Sequence, residues 1–176
     1  MPELPEVETV TQSVKKHLIN QRFTAISVFW EKTLDNFSVD KFKGKVKGKL
    51  IKDVFRRGKY IIIDLDDVLL AVHLRMTGKL YVRSNLDEIK KHISLYVEFN
   101  NKYLFFEDTR KFGRFYLYKN MDYLNNKLGI EPLSADFTDE WIVENMKIKH
   151  RQIKALLFDQ SFICGLGNIY IDEGLW

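Results

Sequence analysis

Between Phe23 and Tyr118 the chain is a succession of short segments rich in Val, Ile, Phe and Tyr: FTAISVFW, KYIIIDL, VLLAVHL, KLYVR, ISLYVEF, KYLFFED and RFYLY. Side chains of this kind suit a pleated, half-buried surface, so each segment is expected as a strand. Asp66-Asp67, Thr77-Gly78, Asn100-Asn101 and Phe112-Gly113 punctuate them as tight turns. Seven or eight antiparallel strands in about a hundred residues predict a two-sheet sandwich or a flattened barrel.

Helical periodicity brackets this stretch. In PELPEVETVTQSVKKHLINQ the apolar Val7, Val10, Val14 and Leu18 fall three, four and four residues apart and line one helical face. Pro5 suits the first turn, and the glutamates around it sit at the positive end of the helix dipole. After Tyr118, MDYLNNKLG closes on Gly129 as a cap, with Pro132 beyond it. Thr138, followed by Asp139 and Glu140, opens a helix through Trp141, Ile142 and Met146. Gln152 to Phe158 and Ile169 to Trp176 read as two more, the last opened by Gly165-Leu166-Gly167-Asn168. The expected class is α+β: an N-terminal helix and an antiparallel β-sandwich over residues 1–120, a linker at 121–135, and part of an all-α unit at 136–176. IEPLSADF is the linker candidate, and Trp176 falls inside an amphipathic pattern without a cap, so the natural chain is expected to run on.

With 176 residues, 45% hydrophobic and 14% aromatic, the chain can bury a core unaided, which excludes disordered, collagenous and coiled-coil classes. The single cysteine, Cys164, excludes an internal disulfide or a multi-cysteine zinc site within these residues and suits a reducing, cytoplasmic setting. No run of about 18 apolar residues occurs, and glutamates stand where an export signal would carry lysines, so no membrane association is expected. Net charge is only +4, but between residues 41 and 60 Lys41, Lys43, Lys45, Lys47, Lys49, Lys52, Arg56, Arg57 and Lys59 face one acid, Asp53. Such a run is either a polyanion footprint or a lysine-rich edge strand that deters pairing.

The terminus carries chemistry of its own. Once Met1 is removed, which a small second residue favours, Pro2 presents a secondary amine of pKa about 8 that is partly neutral and therefore nucleophilic. Such an amine attacks a carbon at aldehyde oxidation level, for instance a deoxyribose anomeric centre. The resulting iminium acidifies the adjacent position and opens an elimination route. Glu3 is placed to act as general acid, and Glu6, one turn on, shares its face. The same residues also make an ordinary helix start, and alone they leave both readings open.

Five blocks in order distinguish the two: PELPEVET, RRGKY at 56–60, HLRMTGKL at 73–80, DTRKFGRF at 108–115, and IKALLFDQ followed by GLGNIYIDE at 153–173. Together they resemble the formamidopyrimidine-DNA glycosylase family, repair enzymes that remove oxidised purines and then nick the strand. The resemblance implies a bifunctional glycosylase and AP lyase of base excision repair, a monomer of the bacterial cytoplasm. Its substrates would be 8-oxoguanine and formamidopyrimidine lesions in double-stranded DNA. By it, Pro2 is the Schiff-base nucleophile, Glu3 the proton donor and Glu6 an orienting neighbour. Lys59 matches the lysine that moves a proton in β-elimination and contacts phosphate. An enzyme acting on a base takes it out of the stack and must plug the hole. Met76 and Phe112 match the wedge residues, and Arg110 the arginine that pairs with the orphaned base. His73 and His92 match positions linked to backbone or DNA contact. Asn168 in GLGN matches a phosphate contact at a helix N-terminus, Lys149 and Lys154 lie near DNA, and Glu173 helps frame the lesion pocket.

The family ends in a zinc finger with four cysteine ligands and an arginine used in δ-elimination. No cofactor is expected within these residues, and one structural zinc is expected in the remainder of the full-length protein. Residues 1–176 alone are expected to catalyse poorly and to bind DNA weakly and salt-sensitively. Two other readings stay open. An endonuclease VIII-like enzyme for oxidised pyrimidines shares Pro2, Glu3 and the scaffold but typically has glycine where Leu4 stands, so Leu4 and the Arg110 to Phe112 loop favour the purine enzyme. A non-catalytic DNA-binding module would keep the fold without the chemistry.

Overall fold

The structure is a computed structural model and describes residues 1–86 and 91–176. Among them, eight strands form two antiparallel sheets: β1 (Ala25–Val28), β2 (Asp53–Arg57), β3 (Tyr60–Asp64), β4 (Leu69–His73), β5 (Gly78–Arg83), β6 (Ile93–Phe99), β7 (Lys102–Asp108) and β8 (Arg114–Tyr118). One sheet has the order β1-β6-β7-β5 and the other β2-β3-β4-β8. Turn chemistry sets the registers. Asn100 and Asn101 both take positive φ, 41° and 56°, as a two-residue hairpin loop needs, and place Phe99 opposite Lys102. Gly58, at φ 56°, opens the turn that pairs Arg57 with Tyr60 and lifts Lys59 to its tip.

The inner faces meet in a core that includes Phe23, Ile61, Ile63, Leu70, Val72, Leu95, Val97, Leu104, Phe106 and Phe115. Helix α1 (Leu4–Leu18) lies along the edge strands β2 and β5 and closes the gap between the sheets on one side. Its buried face is Leu4, Val7, Thr11, Val14 and Leu18. Val10, expected there from its spacing, is only partly buried, and Thr11 enters instead because its hydroxyl donates to the Val7 carbonyl at 2.7 Å. On the other side a 3-10 turn (Glu31–Thr33) and helix α2 (Val39–Lys45) close the gap beside β1 and β8.

The outer face of β3 and β4 is also covered. Helix α3 (Asp122–Lys127) brings Leu124, with Leu128 and Cys164, against Tyr60, Ile62, Leu69 and Ala71. Burial on both faces explains why these two strands read as continuous apolar runs rather than alternating ones. The remaining helices, α4 (Asp139–Lys147), α5 (Ile153–Phe158) and α6 (Asn168–Leu175), surround a small cluster of Leu156, Phe162 and Ile163. Thr138 caps α4 as its sequence predicts, accepting from the Trp141 N–H at 3.1 Å. No helix among the described residues is long and apolar enough to cross a membrane.

The lysine run differs most from expectation. It contains a helix, α2, capped by Ser38, and a strand, β2. Lys49 pairs with Asp67 and Lys52 with Asp66, while Arg56 and Arg57 turn inward and Lys59 is buried. Most of the run is therefore consumed by the protein itself, which leaves Lys41, Lys43, Lys45 and Lys47 facing solvent.

Candidate active site

The first residues are locked onto the last helix. Glu3 is only 3% exposed. Its carboxylate accepts from the backbone N–H groups of Gly167 (2.7 Å), Ile169 (2.9 Å) and Tyr170 (3.3 Å) at the start of α6. Leu4 N–H adds a bond to the Gly165 carbonyl at 2.9 Å. The glycines of GLGN serve this approach: a Cβ on Gly167 would lie 2.5 Å from the Glu3 carboxyl carbon, and Gly165, at φ 96°, faces Leu4. The N–H groups that sequence reading offers to a phosphate are thus taken by Glu3, since a carboxylate satisfies a helix N-terminus as a phosphate does. Asn168 itself is exposed beside them.

Glu6 completes a capping box by accepting from the Glu3 N–H at 2.9 Å, and it also accepts from the Tyr170 hydroxyl at 3.1 Å. Burial pushes the Glu6 carboxyl up, but the N–H bonds from Glu3 and its own backbone, with the Tyr170 bond, outweigh it and leave it below the ordinary range. Lys59 is 5% exposed. Burial lowers its ammonium pKa, and the charge of nearby Glu3 restores part of the loss. Its Nζ stands 5.9 Å from the Phe158 ring centre. Pro2 is half-buried, and Met1 lines a groove of about 450 Å3 with Asp35, Arg75, Met76, Phe112, Arg114 and Tyr116.

The turn that carries Lys59 is held from below. Glu131 accepts from the Gly58 N–H (2.5 Å), from Arg56 (2.7 Å) and from Arg57 (3.2 Å). Burial raises the Glu131 carboxyl, yet the bonds from Gly58 and Arg56 prevail and hold it below the usual range. Arg57 also donates to the Leu128 and Gly129 carbonyls and to Cys164 Sγ at 2.8 Å. Burial, with the Glu131 charge, pushes that thiol up to about 12, so it stays a protonated packing group. Glu131 lies within the segment expected as a linker, where an acid in a Pro-containing stretch gives no sign of this duty.

Two sandwich loops project apolar side chains. Met76, between β4 and β5, is 45% exposed, and Phe112, between β7 and β8, is 46% exposed with the Arg110 guanidinium 4.9 Å over its ring. Asp108, fully buried, ties the two loops together. It accepts from the Thr77 hydroxyl (2.5 Å), the Arg110 N–H (3.2 Å) and the Gly113 N–H (2.7 Å). Asp108 heads the DTRKFGRF block, and a buried acid in a turn is the usual organiser of loop N–H groups. His73 is buried edge-on against Tyr60, and its Nδ1 accepts from the Arg75 N–H at 3.0 Å. Burial, then the charges of Arg75, Lys59 and Lys127, push the imidazole down to about 3, so it is neutral and steadies the Met76 loop from inside. His92 is half-buried beside the other loop, and its carbonyl accepts from Asp108 N–H. In the helical part, Lys149 and Glu173 are exposed, and Lys154 pairs with Asp172 at 2.6 Å. Among the described residues no group of three or more His, Cys, Asp or Glu side chains could hold a metal ion.

The fold and site together define a helix-led β-sandwich whose own N-terminus is clamped into a small helical unit. Both parts have known counterparts. Residues 1–115 match the family model for the formamidopyrimidine-DNA glycosylase N-terminal domain, and residues 128–176 match that for its H2TH domain. The chain belongs to the formamidopyrimidine-DNA glycosylase family. It is 44% identical over 179 residues to the formamidopyrimidine-DNA glycosylase of Protochlamydia amoebophila and 42% identical over 181 residues to that of Herpetosiphon aurantiacus. All of this chain is matched, and it spans 65% and 66% of those relatives' lengths. A solved complex of Lactococcus lactis Fpg with DNA containing an abasic site superimposes with a TM-score of 0.91 at 35% identity, covering 99% of this chain and 66% of that one.

Proposed function

We propose that this chain supplies the nucleophile and the lesion-reading loops of a bifunctional DNA glycosylase and AP lyase that acts on oxidised purines in duplex DNA. The observation that carries this reading is the Glu3 clamp. It anchors the residue that follows Pro2, with its charge near buried Lys59, while Met1 on the other side of Pro2 lines a groove with Met76 and Phe112. A relative solved with abasic-site DNA supports the same partner.

With Met1 in place the Pro2 nitrogen is a tertiary amide with a delocalised lone pair, so its removal is the first requirement. The freed amine bonds to C1′ of an extruded nucleotide as the bond from C1′ to the base breaks. Glu3 gives a proton to the departing base or the opening sugar. To give a proton Glu3 must first carry one. Both of its oxygens accept N–H bonds, so carrying that proton loosens one of them, the Tyr170 bond being the longest at 3.3 Å, and donation restores it. The iminium acidifies C2′, and loss of a C2′ proton expels the 3′ phosphate. Lys59, whose depressed pKa eases its neutral form, suits the proton transfer.

Borohydride trapping on an abasic-site duplex tests this. Mass spectrometry first establishes the loss of Met1 and then locates the adduct. A cross-link on Pro2 is expected. An adduct on another residue contradicts the role of Pro2, and none from correctly processed full-length protein favours a DNA-binding module. Excision from duplexes bearing 8-oxoguanine or thymine glycol separates the purine reading from the pyrimidine one.

A further inference from the structure

Trp30 follows β1 and takes no part in the site described above. Its backbone N–H donates to the Ser94 carbonyl at 3.1 Å, which pins this strap across the start of β6. Its indole N–H is buried without a partner among the described residues. A phenylalanine would avoid that cost, so the use of the indole lies in its face. Lys111 Nζ stands 4.2 Å from the ring centre, and Lys32 Nζ stands 5.7 Å away. Lys111 sits between Arg110 and Phe112 and takes φ 58°, a conformation uncommon outside glycine. Through this turn, successive side chains part: Lys111 folds back onto Trp30, while Arg110 and Phe112 stack on each other.

We propose that Trp30 is a positioning residue. Its ring captures the Lys111 ammonium and so holds the loop between β7 and β8 in the turn that presents Arg110 and Phe112 to DNA. This rests on the DNA-reading role given to that loop. Asp108 fixes the base of the loop and Trp30 fixes its tip, and neither acts by touching DNA.

The test is a titration of the 176-residue chain at low salt with a duplex holding an abasic-site analogue. A neighbouring 2-aminopurine reports wedge insertion by its fluorescence. The strength of an exposed cation–π pair implies that W30L lowers affinity about two- to five-fold. That loss is expected when Lys111 is present and is expected to vanish in the K111M background, while W30F, which keeps an aromatic face, restores most of it. Equal losses in both backgrounds, or none in either, overturn the role. F112A tests the underlying reading separately. If it changes neither signal nor affinity, the loop does not engage DNA, whereas an F112A loss without a W30L loss removes Trp30 alone. A second readout needs no DNA. With W141F and W176F leaving Trp30 as the sole tryptophan, K111M is expected to change its emission and its quenching by acrylamide, and unchanged spectra overturn the pairing.

Discussion

Phe106 and Trp141 show two ways of filling an interior. Phe106 is fully enclosed between the sheets, edge-on to Phe115 at 5.1 Å. Trp141 packs 5.2 Å from Phe162 yet stays partly exposed, and α4 buries no residue completely. Val143, Ile148, Ile153 and Ile169 of the helical half are likewise open to solvent. The sandwich, closed by α1 and α2, draws its stability from apolar burial. The helical half is joined to it largely by Glu131 with Arg56 and Arg57, and by Glu3 at the start of α6. Apolar contact is tolerant of angle, whereas a carboxylate accepting N–H bonds is not. The residues proposed for the chemistry lie at this seam, where carboxylates that accept directed N–H bonds set their positions.

If that division is right, damage to each half should differ in kind. Phe106→Ala is expected to cost about 4 kcal/mol and to lower the urea midpoint of the whole chain, since the cavity opens at the centre of the sandwich. A transition that spares the sandwich would break the comparison. Glu131→Ala should cost about 3 kcal/mol by removing the carboxylate shared by two inward-facing guanidinium groups and the acceptor of the Gly58 N–H. Its effect should be local. Hydrogen exchange should show protection lost in α5 and α6 and retained in β3 and β4. The pH dependence has the same origin. The folded Glu131 carboxyl is held below its ordinary 4.5, so its contribution is complete above that value and disappears as pH falls through the lower, folded one. Glu131→Ala should remove this part of the acid sensitivity.

The same contrast explains what could be read in the sequence. The seven apolar segments all lie in or across strands because β-branched and aromatic patterning reports burial directly, and α1 shows the same through its spacing. Strand β2 and helix α2 were hidden in the lysine run, where charge masks a weak apolar period at Val39, Phe42 and Val46. Pro2, Glu3, Glu6 and Lys59 could be nominated from their blocks, and the structure gathers Glu3, Glu6 and Lys59 at one seam. Glu131 could not, because its partners are a backbone N–H and two arginines more than seventy residues away that no local spacing records. Asp108 stands in its own block and bonds N–H groups two and five residues on, but burial, which gives it that role, is not legible there.

A smaller effect sharpens the boundary from the sandwich side. His73 lies near a pKa of about 3 against an ordinary 6.5, because its imidazole is buried neutral. The unfolded chain takes up the proton first. The associated stability is therefore complete above 6.5 and erodes toward 3, by at most about 1.4 kcal/mol per pH unit. His73→Asn, compared with the unmutated chain by urea unfolding at successive pH values, should flatten this slope below pH 6.5. Titration of the His73 ring by NMR between pH 7 and 5 would show that it is not buried as described.

The weakest expected change concerns the outermost ion pair of the helical half. Lys154 and Asp172 meet at 2.6 Å with more than half of each side chain exposed, so solvent screening leaves the pair little to contribute. Lys154→Ala should shift the thermal midpoint by no more than the equivalent of about 0.5 kcal/mol. Its effect on DNA is a separate matter. If Lys154 meets a phosphate, the substitution should lower the slope of log affinity against log salt by about 0.9 while leaving discrimination between damaged and intact duplex unchanged. An unchanged slope would confine Lys154 to its bond with Asp172, and DNA contact would then rest on the sandwich loops and the terminus, where the directional bonds are concentrated.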